Sequence, residues 1–172
     1  LHGSGDFTRE VRHRLAGIDY DCLAVPLPPS MSAAVEEGVS LLPRISVVLQ
    51  AEVEDISKIG GRSDDEAAYN FVPIDPCQGV ISAIREALGC GVDVACIDLE
   101  VSSYEEDECL RLADPYALKK VRYEKLLAAL VPALPAPQLA SQRLERIRRM
   151  AFELHCLELE YEKIVCVCSI ED

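Results

Sequence analysis

Apolar and polar positions along this chain follow two periods, and each change of period marks a new element. Short apolar runs at Cys22–Val25, 45–49, 70–74, 94–99 and 164–168 are rich in valine, isoleucine and cysteine and read as strands. Between them apolar residues recur at helical spacing. Met31, Val35, Val39 and Leu42 form one stripe, and Cys77, Ile81, Ile84 and Leu88 form a second. Tyr116, Tyr123, Leu127 and Leu130 line a third helix, and Ile147, Met150, Leu154, Leu157 and Tyr161 a fourth. The prolines between positions 132 and 137 break these last two apart, so a helical hairpin over residues 115–162 is expected. Segments 52–66 and 102–114 are polar and acidic and read as surface loops.

Alternation of continuously apolar strands with helices predicts a single α/β domain over residues 1–172. Its expected architecture is a mostly parallel sheet with helices on both faces and the hairpin before the last strand. Right-handed crossovers deliver the C-terminal ends of parallel strands to one rim, and ligands of open α/β sheets bind outside that rim. Leu1-His2-Gly3 reads as a strand end with its loop, and the last apolar run stops just short of residue 172. A fragment of a longer chain is therefore expected.

Composition narrows the function classes. The chain carries 17 basic and 30 acidic side chains, a net charge of −13, and such a field disfavours nucleic acid and anionic membranes. No apolar run approaches the roughly 20 residues of a membrane span. The basic cluster Arg143, Arg146, Arg148 and Arg149 reads as a solvated helix face, with Glu145 paired to Arg149. Of the 8 cysteines, Cys22, Cys96, Cys166 and Cys168 stand in apolar runs where a free thiol serves as a small hydrophobe. No signal-peptide pattern opens the sequence, so a reduced, cytoplasmic setting is expected. A zinc set from His155, Cys156, Cys166 and Cys168 can be drawn, but two of its members share a strand expected to be buried.

Reading each strand to its end selects the polar residues of the rim: His2, Gln50 with Glu52, Asp75, Asp98 with Glu100, and Ser169 with Glu171 and Asp172. An imidazole and several carboxylates at one edge suit acid–base chemistry or a hard divalent metal held by His2, Asp98 and Glu100. Each has a plainer reading. Asp75-Pro76-Cys77-Gln78 has the form of a helix cap with a proline at the first helical position and Gln78 as capping-box partner. Gly3-Ser4-Gly5-Asp6 makes a small-residue loop through which Ser4 and Asp6 could meet a ligand, or Asp6 could cap the next helix. Arg85, on the helix after Asp75, is either solvated or an anion contact beneath the rim.

These residues resemble the TraB/ChaN/erythromycin-esterase-like group of α/β proteins. Leu1-His2-Gly3-Ser4 resembles the end of a Gly-Glu-x-His first-strand motif, and C-L-A-V-P-L-P-P-S from Cys22 to Ser30 resembles the second strand, commonly V-x-V-E-L-P. The run from Val72 to Ala87 resembles a polar strand end leading into an arginine-bearing helix, and C-I-D-L-E from Cys96 to Glu100 resembles an F-I-D-L-P strand. The resemblance implies a site on the strand rim with His2 as its histidine. It also places Pro26 where that group has a glutamate.

Two functions follow as expectations. One is a hydrolase-like domain acting on a small molecule or peptide. There His2 is base or ligand, Asp98 and Glu100 hold a metal or orient water, and Arg85 steadies an anionic intermediate. The other is a non-catalytic ligand-binding or protein-interaction domain, with the hairpin offered to a partner or a second copy.

Overall fold

The computed structural model describes residues 4–51, 69–105, 120–134 and 141–170. Helix α1 (Gly5–Leu15) starts where the Ser4 hydroxyl accepts a hydrogen bond from the Phe7 N–H, with Asp6 in its first turn and Arg12, His13 and Arg14 in its last. Ser4 is thus the cap; Asp6 is not. Strand β1 (Cys22–Val25) is buried at every position. A 3₁₀ turn, Pro29–Met31, leads into α2 (Ser32–Ser40), whose Val35 and Val39 are buried together with Met31 and Leu42, as the stripe requires.

Strands β2 (Ser46–Ala51) and β3 (Tyr69–Ile74) follow, then α3 (Gly79–Cys90), which ends at Gly91 in the left-handed conformation with φ 70°. Beyond β4 (Asp93–Cys96) come α4 (Tyr123–Leu130), α5 (Gln142–Leu157) and β5 (Ile164–Cys166). The Ser141 hydroxyl caps α5 by accepting from the Leu144 N–H.

Three strands form a parallel sheet in the order β4-β1-β5, with Cys22 in register with both Asp93 and Ile164. The two-residue period divides their side chains cleanly. Leu23, Val25, Val94, Cys96 and Val165 join Leu15, Val35, Val39, Ile81 and Ile84 in one core. Ala24, Ala95, Ile164 and Cys166 join Ile97 and the α5 residues Ile147, Met150, Leu154 and Leu157 in another. The continuous apolarity of β1 follows, since its alternate residues enter two different apolar clusters.

The remaining strands correct the expectation of one mostly parallel sheet. β2 and β3 pair with each other in antiparallel fashion, Leu49 opposite Phe71 and Gln50 opposite Asn70. Their inner positions include Ser46, Gln50 and Asn70, whereas Val47, Leu49, Tyr69 and Phe71 on the outer face are exposed. A ribbon this apolar outside reads in sequence as a strand buried on both faces. The hairpin lies close on α2: a Cβ added at Gly38 would come 2.9 Å from Ile74 Cγ1.

The two helices expected to form a hairpin have separate partners. α4 is tied to α1 by the Arg14–Glu124 ion pair and an edge-on contact of Phe7 with Tyr123, while α5 packs on the sheet. Residues 135–140 between them, and Tyr116, lie outside the described residues. None of the described helices is long and apolar enough to cross a membrane.

Candidate functional site

The strand ends create the site. Pairing of β1 with β4 continues past the last ladder residues, because the Ile97 N–H donates to the Val25 carbonyl and the Asp98 N–H to the Leu27 carbonyl, each at 3.0 Å. These two bonds carry β4 across the proline-rich segment that follows β1 and set Asp98 at the C-terminal rim of the parallel sheet. Its location there agrees with the sequence reading.

Its surroundings do not. Asp98 is only 2% exposed, and its carboxylate is gripped by Arg146 from α5. Arg146 Nε lies 3.1 Å from both carboxylate oxygens, and Nη2 donates to Oδ2 at 2.6 Å. The Leu99 N–H adds a bond of 2.8 Å to Oδ1. The guanidinium plane faces the Tyr104 ring, 4.9 Å from its centroid. Burial, with the Asp98 charge next to it, pushes the Tyr104 phenol above its ordinary range. An aspartate held on both oxygens has few lone pairs left for a metal or a reacting proton.

The other predicted residues serve local structure. Glu100 accepts from the Ser30 N–H at 2.7 Å and the Ser30 hydroxyl at 2.8 Å, and Gln50 Nε2 donates to that same hydroxyl. The glutamate thereby pins the 3₁₀ turn to the end of β4. Asp75 accepts from the Cys77 N–H at 2.7 Å, and the Gln78 N–H bonds to the Asp75 carbonyl. Asp75 therefore organises a turn, and α3 begins only at Gly79; the expected capping box is absent. Arg85 is exposed on α3, and the arginine that meets Asp98 is Arg146.

Ser4 is engaged as the α1 cap, and Asp6 sits half-buried in the first turn. Ser169 is half-buried beyond β5. His2, Glu52, Glu171 and Asp172 lie outside the described residues, and so does any metal set built on His2. Among the described residues no three His, Cys, Asp or Glu side chains gather where a metal could be held. The seven described cysteines are free thiols; His155 hydrogen-bonds Glu158 and does not meet Cys156, Cys166 and Cys168 as a zinc set.

Beside the Asp98–Arg146 pair lies a cavity of about 310 Å³. Pro26, Leu27, Pro28 and Met31 line it from the segment after β1, Tyr69 to Val72 from β3, and Asp98, Tyr104 and Arg146 from the rim. Of the described candidates from the sequence, Asp98 alone borders it. Its walls are chiefly apolar, in the lower part of the size range usual for small-molecule pockets.

One residue in the lining stands out by its chemistry. Asn70 is 8% exposed, while its strand neighbours Tyr69 and Phe71 are 53% and 66% exposed, so the asparagine is the inward-facing member of that stretch. Its side-chain amide takes no hydrogen bond among the described residues. Asn70 borders the cavity, and no described side-chain N or O atom that is fully shut from solvent lacks a partner. Sequence reasoning placed Asn70 in a strand and saw nothing more in it, because a single polar residue at a strand start carries no site signal. Arg146 was legible in principle: it precedes Met150 and Leu154 by one and two four-residue steps and so belongs to the inward stripe of α5.

Comparison with protein-family models, with curated proteins and with solved structures finds no match to this chain.

Proposed function

We propose that this chain is a non-catalytic ligand-binding domain, and that a small molecule occupies the cavity between β3 and the rim of the parallel sheet. The observation that carries the reading is the Asn70 amide, more than nine-tenths buried, bordering an apolar cavity and without a hydrogen-bond partner among the described residues. An amide at the edge of an apolar cavity gains from a ligand that pairs it, by about 0.5–1.5 kcal/mol for each hydrogen bond made. The adjacent ion pair gives the site a fixed polar floor, and Tyr104 and Met31 give it adaptable walls.

The hydrolase reading, metal-assisted or not, has less support. It needs Asp98 and Glu100 to be available, yet Asp98 is committed to Arg146 and Glu100 to Ser30. Pro26, standing where the TraB/ChaN/erythromycin-esterase-like resemblance places a glutamate, is part of the cavity wall and supplies no acid. The domain is proposed to work in a cytoplasmic setting and without nucleic acid as a partner, in keeping with its charge of −13.

Methyl-resolved NMR with a library of small fragments tests the reading. Fragments that enter the cavity shift the Met31 and Val72 methyl signals and leave Leu126 of α4 unmoved. A library from which no fragment displaces Met31 or Val72 would remove the proposal.

A further inference from the structure

The chemistry of the cavity specifies its ligand more closely, and this step rests on the binding reading above. We infer that the ligand is an uncharged planar molecule carrying a hydrogen-bond donor beside an acceptor, as in an aromatic carboxamide or a lactam ring.

The absence of charge follows from the floor. Asp98 and Arg146 neutralise one another through a two-oxygen grip, with the carboxylate almost wholly buried. An anionic ligand would meet an Arg146 charge already neutralised by Asp98, and a cationic one an Asp98 charge already neutralised by Arg146. Each would give up its hydration for little Coulombic return, which is unfavourable. A neutral ligand gives up less. Among the described residues the cavity lining contains no other charged side chain.

The edge follows from Asn70. A side-chain amide offers two N–H donors and one carbonyl acceptor in one plane. Its full complement is a group that gives and accepts side by side, the same logic by which asparagine reads the edge of adenine. A ligand with only an acceptor or only a donor would leave half of the amide unpaired in a largely apolar setting. The planar body follows from the walls: Pro26 and Pro28 on one strand end, the Tyr104 ring at the rim and the β3 backbone bound a space of about 310 Å³. That volume suits one or two fused rings with a substituent.

Four probes separate the elements of this inference in the wild-type chain, with the Met31 methyl as reporter. Nicotinamide has the ring and the amide edge, nicotinate at pH 7 has the ring and a charge, toluene has a ring with no edge, and cyclohexanecarboxamide has the edge on a puckered ring. Nicotinamide is expected to bind at least tenfold more tightly than each of the other three. In Asn70→Ala its advantage over toluene falls to within about twofold.

Nicotinate binding as tightly as nicotinamide would overturn the uncharged ligand, and equal binding of toluene would overturn the amide edge. Equal binding of cyclohexanecarboxamide would overturn planarity. If none of the four moves Met31 while other library fragments do, the ligand class falls and the cavity reading stands. If no fragment of any kind moves it, both fall. The wild-type series decides these outcomes even if Asn70→Ala does not fold.

Discussion

Arg146 holds both carboxylate oxygens of Asp98, across the boundary between α5 and the C-terminal end of β4. The pair joins the second face of the sheet to the rim where the cavity opens, so one interaction serves fold and site together. Breaking it singly leaves a charge behind. Asp98→Asn or Arg146→Met is expected to cost about 3 kcal/mol, whereas Asp98→Leu combined with Arg146→Met returns to within about 1 kcal/mol of wild type. Urea denaturation of the four proteins measures this; additive losses in the double variant would mean that the two side chains act independently.

Gly38 marks where α2 comes nearest to the hairpin. A methyl group there meets Ile74 Cγ1 at 2.9 Å and Ser46 Oγ at 3.4 Å. Alanine gains about 1 kcal/mol in helix propensity, but overpacking costs about 1–3 kcal/mol, so Gly38→Ala is expected to lose stability on balance. A variant more stable than wild type in the same denaturation series would show that the contact relaxes freely.

Cys22 gives the chain a sensitivity to alkali. Burial, reinforced by the neighbouring Asp93 charge, pushes its thiol from 9.0 up to about 11. The folded state thus favours the neutral thiol, whose contribution is complete below pH 9 and is lost as pH rises towards 11. Stability measured across that window should fall more steeply in wild type than in Cys22→Ala. Parallel curves would assign the alkaline loss to other groups, such as Tyr20 and Tyr104, whose phenols burial also raises.

Much of the frame could be read from periodicity. β1 was bounded correctly because four consecutive apolar residues stand between an acidic turn ending at Asp21 and the prolines that begin at Pro26. The stripe Met31, Val35, Val39 and Leu42 is buried throughout. The ribbon was misread because Val47, Leu49, Tyr69 and Phe71 face outward while Val48, Val72 and Ile74 face the core, so apolar residues on both faces gave no alternation to mark it as antiparallel. Asp75 looked like a cap because the same tetrapeptide suits a turn, and only the Gln78 N–H bond to the Asp75 carbonyl separates the two.

Of the site, the rim and Asp98 were legible from strand ends. The partner of Asp98 was not, since Arg146 stood in a basic cluster whose other members suggested a solvated face. Arg149 in fact pairs with Glu153 rather than Glu145, and Arg146 turns inward. Charge clusters on helices conceal single inward members unless each position is assigned to a face.

A ligand-reading role for Asn70 requires that its amide be kept for a ligand and not for the fold. Thermal and urea denaturation of Asn70→Val without ligand measures that directly. Valine suits a buried strand position and replaces a polar amide with apolar surface, so the variant should be more stable than wild type by about 1 kcal/mol. A loss of more than about 1 kcal/mol would contradict the account, since the amide would then be paired within the protein and the cavity would have no polar reader.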